Sequence, residues 1–112
     1  MALPHARSGE VVDVRPLGAR LAGEKTVALF KAEDLEVMRL VLAAGRSLPS
    51  HRVAGEITIQ CIEGALEVSA ENRSHVLHAG QLLYLSGGVT HGVLALEDCS
   101  ALVTVALRKQ SP

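Results

Sequence analysis

Aromatic side chains are almost missing from this sequence: of 112 residues one is Phe, one is Tyr and none is Trp. Single-stranded nucleic acids are held by stacking bases on several exposed rings, and Phe30 and Tyr84 cannot build that platform alone. Aromatic cages for quaternary ammonium groups are excluded for the same reason. An excess of one charge is also lacking. Eleven Lys and Arg stand against twelve Asp and Glu, for a net charge of −1, and no basic run marks a nucleic-acid binder. No apolar stretch approaches the roughly twenty residues of a membrane-spanning helix. The opening residues, with Pro4, His5 and Arg7, lack the apolar segment of an export signal. Two cysteines, Cys61 and Cys99, are too few for a disulfide scaffold. The compartment expected from them is a reducing cytoplasm, where both stay thiols.

What is present is aliphatic. Hydrophobic residues make up 48% of the chain and charged residues 21%, the balance of a folded globular protein rather than a disordered one. The length fits one domain over residues 1–112, with polar, loosely held ends at 1–10 and 108–112. The dominant period is two. From Leu35 to Leu42 the chain places Leu35, Val37, Arg39 and Val41 on one face and Glu36, Met38, Leu40 and Leu42 on the other. Similar runs cover 26–31, 57–63, 66–70, 75–78, 81–85, 92–97 and 101–107, with a weaker one at 11–14. Turn residues such as Gly45, Gly64, Asn72, Gly80, Gly87 and Gly88 separate them. No window reads as a helix. Short strands at spacings near ten residues predict an all-β sandwich or barrel.

Two segments carry chemistry. The first, residues 43–55, is read as a long non-strand stretch and contains His51; the second runs from Gly80 through Gly87 and Gly88 to His91. Here the sequence resembles the cupin family, in its small, single-domain RmlC-like form. Gly45, His51 and Gly64 fall on the first cupin motif, and Gly80, Gly88 and His91 on the second, without insertion. The resemblance covers about residues 35–107 and implies a jelly-roll β-barrel of two antiparallel sheets. It also implies a metal held by three His and one Glu. This chain departs there: Val53 stands at the second His, Ile57 at the Glu, Ser86 at the Pro and Ala95 at the Asn.

Two of four ligands remain, and a catalytic metal site ordinarily needs three from the protein. Strand alternation from His51 through Val53 and Ile57 places Cys61 inside as a possible soft ligand. A bulge at Gly55 would instead turn Glu56 and Gln60 inward. The candidate pocket residues are therefore His51, His91, Cys61, Gln60 and Tyr84. The candidate metal ligands are His51 and His91, with Glu56, Gln60 or Cys61 third. Fe, Mn, Ni and Zn are the candidate ions, and a metal-free pocket is the alternative. His75 and His78 are expected at the surface.

Three functions are compatible with these residues. The first is a cytoplasmic homodimer that binds a small, largely apolar or weakly acidic molecule near His51 and His91. The second is a metal-dependent cupin enzyme of dioxygenase or isomerase type. The third is a metal-free, epimerase-like enzyme with a His base and Tyr84 as acid. Neither nucleic acid nor membrane is an expected partner. Apolar residues on both faces of 35–42 suggest that one face fills the barrel and the other meets a second copy.

Overall fold

The computed structural model describes residues 5–107, so the expected loose end at 108–112 and the first four residues lie outside it. The alternating runs form strands: β1 (Val27–Lys31), β2 (Leu35–Leu42), β3 (Ser47–His51), β4 (Ile57–Glu63), β5 (Ala65–Ala70), β6 (Arg73–His78), β7 (Leu82–Leu85), β8 (His91–Ala95) and β9 (Cys99–Ala106). They pair antiparallel into a five-stranded sheet, ordered β1-β2-β9-β4-β7, and a four-stranded sheet, ordered β3-β8-β5-β6. This is the expected two-sheet all-β architecture.

Register decides which side chains meet inside. Across the five-stranded sheet Met38, Val103, Ile59 and Leu83 form one inward row, and Glu36, Val105, Ile57 and Leu85 the next. The four-stranded sheet answers with Leu66, Val68, Leu77, Val93 and Ala95, and these aliphatic side chains form one core. With so few rings available, β-branched and Leu side chains interdigitate instead. Each fully buried one, such as Ile59 or Leu66, contributes roughly 1.5–3 kcal/mol.

Three features were not anticipated. The stretch read as non-strand contains β3, an edge strand, where Pro49 is tolerated because its missing N–H faces no partner. A 3-10 helix occupies Gly18–Gly23, and residues 11–14 form no strand. The segment before that helix is clipped to the outer face of the five-stranded sheet. The Glu63 carboxylate accepts the Leu17 and Gly18 amides at 2.9 and 3.0 Å, together with the Ser100 hydroxyl. Arg39, only 6% exposed, donates to the main-chain carbonyls of Arg15 and Asp13. Arg39 thus lies on the outer side of β2, away from the core, and holds the chain's own backbone.

Candidate functional site

His51 ends β3 and His91 opens β8, and the two are direct partners across the ladder. Their ring centroids are 4.6 Å apart, with the planes tilted by 51°. A bulge makes this possible. Leu48 pairs with Val93 and His51 with His91, so Pro49 and Ser50 together oppose Gly92 alone. Without the extra residue, strand alternation would send Leu48 and His51 to opposite faces. Gly92 leaves the needed room: a Cβ there would come within 3.1 Å of the Ser50 hydroxyl and 3.2 Å of that of Ser69.

Both imidazoles line a cavity of about 350 Å3, whose wall is otherwise aliphatic apart from Glu36. Met38, Leu40, Ile59, Val93 and Val103 supply much of it. His91 is buried and His51 exposed, so the pair runs from the interior toward solvent. The His91 Nδ1 lies 3.1 Å from the Val89 carbonyl oxygen, and the His51 Nδ1 lies 3.4 Å from that of Pro49. A carbonyl only accepts, so each contact favours the tautomer with its proton on Nδ1 and leaves Nε2 with a free lone pair. Close backbone approaches frame the mouth. A Cβ on Gly55 would fall 1.8 Å from the Ala106 carbonyl oxygen, and one on Gly87 would fall 2.3 Å from that of Ala54.

The other residues singled out by sequence lie elsewhere. In β4 the burial alternation turns Ile57, Ile59 and Cys61 inward and leaves Thr58 and Gln60 half-buried on the outer side. Gln60 pairs with Leu82 and is not part of the cavity wall. Cys61 faces inward but beyond the cavity, its thiol against the carbonyls of Glu63 and Gly64 at 3.5 Å. Burial raises its pKa above the ordinary thiol value, against a backbone hydrogen bond at Glu63 that lowers it; burial likewise pushes Cys99 up to about 11. Neither is a ready thiolate. Glu56 precedes the strand and is exposed, accepting a 2.6 Å hydrogen bond from the Tyr84 hydroxyl on the outer surface. Gly55 therefore does not shift the strand's phase, and Tyr84 is not positioned to act as an acid inside. His78 is exposed, whereas His75 turns inward with a buried Nε2 that has no partner.

Sequence reading missed Glu36, Met38 and Leu40 as cavity wall. No signal in the strand could have found them: each face of β2 carries one charged and three apolar residues, so alternation alone does not say which face is inside.

The donor set does not fit the family's four-ligand metal. At the two vacant ligand positions Val53 and Ile57 stand in the cavity wall and offer no lone pair. Among the described residues no group of three or more His, Cys, Asp or Glu could hold a metal ion.

Two antiparallel sheets enclosing a cavity, with a His pair in its wall, define a small jelly-roll domain. The chain belongs to the cupin family, matching the cupin domain over residues 38–106. Among solved structures it is similar to a conserved protein of unknown function from Streptococcus pyogenes, with 18% identity, 98% of this chain and 97% of that one covered, and a TM-score of 0.75. It is also similar to an RmlC-like cupin from Desulfovibrio desulfuricans, at 26% identity, 87% and 97% coverage and a TM-score of 0.71. A third likeness is to salicylate 1,2-dioxygenase from Pseudoaminobacter salicylatoxidans, at 19% identity over 64% of this chain and 20% of that one, with a TM-score of 0.62. No curated protein matches. Among the described residues no helix is long and apolar enough to cross a membrane.

Proposed function

We propose that this cupin is a small-molecule binding protein of the cytoplasm, acting as a homodimer, whose ligand occupies the cavity beside His51 and His91. The observation that carries this reading is the cavity itself: about 350 Å3, walled by aliphatic side chains, with two imidazoles as its convergent polar groups. That is the composition of a small-molecule site, a mostly apolar wall with a few placed polar atoms. Its output is sensing or sequestration. The near balance of charge argues against nucleic acid as a direct partner.

A second reading, a metal-dependent enzyme of dioxygenase or isomerase type, draws on one feature. An Nδ1–H bound to a main-chain carbonyl is how metal-ligating histidines are commonly oriented. Two imidazoles alone bind a divalent ion weakly, which ranks this reading second.

Elemental analysis and native mass spectrometry decide between them, on protein purified without nickel resin or chelator. Binding predicts a substoichiometric metal content and an organic molecule released on denaturation. Stoichiometric Fe, Mn, Ni or Zn that disappears in His51→Ala would instead establish the enzyme reading.

A further inference from the structure

The polar atoms facing the cavity share one property. The Nδ1 atoms of His51 and His91 lie 3.4 and 3.1 Å from the Pro49 and Val89 carbonyl oxygens, contacts that favour the Nδ1–H tautomer and leave Nε2 of each ring as an acceptor. The one carboxylate in the wall is that of Glu36. All three are hydrogen-bond acceptors, and none of the lining side chains is a cation or a hydroxyl. Two acceptors whose rings stand 4.6 Å apart cannot satisfy one another. They need a donor brought by something else.

Resting on the reading of the cavity as a small-molecule site, we infer that it selects a ligand with a compact aliphatic body and a hydrogen-bond-donating head, an alcohol, vicinal diol or amine, and rejects carboxylates and phosphates. An anion would place its own lone pairs against those of the two Nε2 atoms, near the Glu36 charge, in a wall with no cation to compensate. An unpaired buried acceptor is costly, so the mismatch is punished more than a match is rewarded. The aliphatic lining gives the ligand body its affinity through area removed from water, and the paired imidazoles read its head. The cavity volume of about 350 Å3 lies at the small end for ligand sites, which suits a single saturated ring.

The test uses the full chain and one scaffold with different heads: cis-1,2-cyclohexanediol, cyclohexanol, methylcyclohexane, cyclohexanecarboxylate and cyclohexylamine. Binding is followed by amide chemical shifts in protein kept about two pH units above the ordinary histidine pKa. Long-range proton–nitrogen spectra of the two rings report the tautomer directly. Expected are Nδ1-protonated rings and a diol bound at least about fivefold more tightly than methylcyclohexane, since each neutral hydrogen bond contributes about 0.5–1.5 kcal/mol. The carboxylate should bind more weakly than the hydrocarbon. In His51→Leu, at an exposed position that tolerates exchange, the diol's advantage should fall while methylcyclohexane still binds. Equal binding of all heads, tighter binding of the carboxylate than the diol, or an amine that binds no better than the hydrocarbon overturns the inference and leaves the small-molecule reading standing. Protons found on Nε2 overturn it as well. Failure of every probe, hydrocarbon included, overturns both.

Discussion

Leu48 and His51 face the same cavity although three positions separate them on one strand, because Pro49 and Ser50 share a single opposing residue, Gly92. The aim of His51 is thus set by a backbone irregularity rather than by its own side-chain contacts. Gly92→Val should crowd the Ser50 and Ser69 hydroxyls and straighten or displace β3. The expected cost is about 1–3 kcal/mol in urea unfolding. Cross-peaks between the two imidazole rings should vanish. A variant that keeps those cross-peaks at parental stability would show that the bulge does not depend on this glycine.

The two histidines should differ sharply in their effect on folding. His51 is exposed, and its hydrogen bond to Pro49 is long at 3.4 Å, so His51→Ala should change stability by no more than about 1 kcal/mol. His91 is 2% exposed with a 3.1 Å bond, so His91→Ala should cost about 1–3 kcal/mol. Chemical denaturation of both variants checks the order. A loss of several kcal/mol at His51 would make it a packing residue.

At the mouth, Gly55→Ala cannot be absorbed by a rotamer change, since the added carbon meets a main-chain oxygen of Ala106 at 1.8 Å. The loop or the end of β9 must move. Melting should occur several degrees lower, and resonances of Val53, Ile57 and Leu107 should shift together. Unchanged melting would mean that this contact is not kept in solution.

Acid should loosen the clipped segment. Partial burial pushes the Glu63 carboxyl up, but hydrogen bonds from Ser100, Leu17 and Gly18, helped by Arg39, outweigh that and hold its pKa below the usual glutamate value. A lowered folded pKa gives stability that is complete above the unfolded value, about 4.3, and is lost as pH falls through the folded one. Hydrogen exchange at the Leu17 and Gly18 amides should therefore accelerate only below about pH 4.3. In Glu63→Gln it should be fast at neutral pH, for a loss of about 1–2 kcal/mol. Identical exchange profiles in parent and variant would exclude the clip.

Leu82 and Tyr84, 60% and 56% exposed, lie on the outer side of β7, beside half-buried Thr58 and Gln60. The outward side of β2 at Arg39 is covered by the chain's own segment, so on this sheet the exposed apolar area that the proposed second copy would meet lies toward β7. Leu82→Asp with Tyr84→Ser should give monomers in sedimentation velocity with little change in melting temperature. A persistent dimer would place the interface elsewhere.

Legibility in the sequence followed the regularity of the backbone. In β4, Ile-Thr-Ile-Gln-Cys alternates without interruption, so the strand and its two faces were legible. Spacing left open whether Cys61 or Gln60 turned inward, because a bulge at Gly55 would reverse the phase; the burial alternation puts Cys61 inside. β3 was not legible, because Pro49 and the bulge break the period that strand reading depends on. The burial of Arg39 was hidden for another reason: its partners are main-chain carbonyls, which every residue has and no pattern marks. The meeting of His51 and His91 came through the family resemblance, since a separation of forty positions in the chain leaves no local signal. That Cys61 would stop short of the cavity depends on the depth of the barrel, which alternation does not encode.

The tight seating of Gly55 against Ala106 makes the last strand a doorpost: Ala106 and Leu107 belong to the wall of the chamber itself, and the Leu107 amide is tied to the Asp34 carbonyl. A larger side chain at either position therefore narrows the space open to a ligand, and a substitution that shifts this end of the strand moves the chamber wall with it.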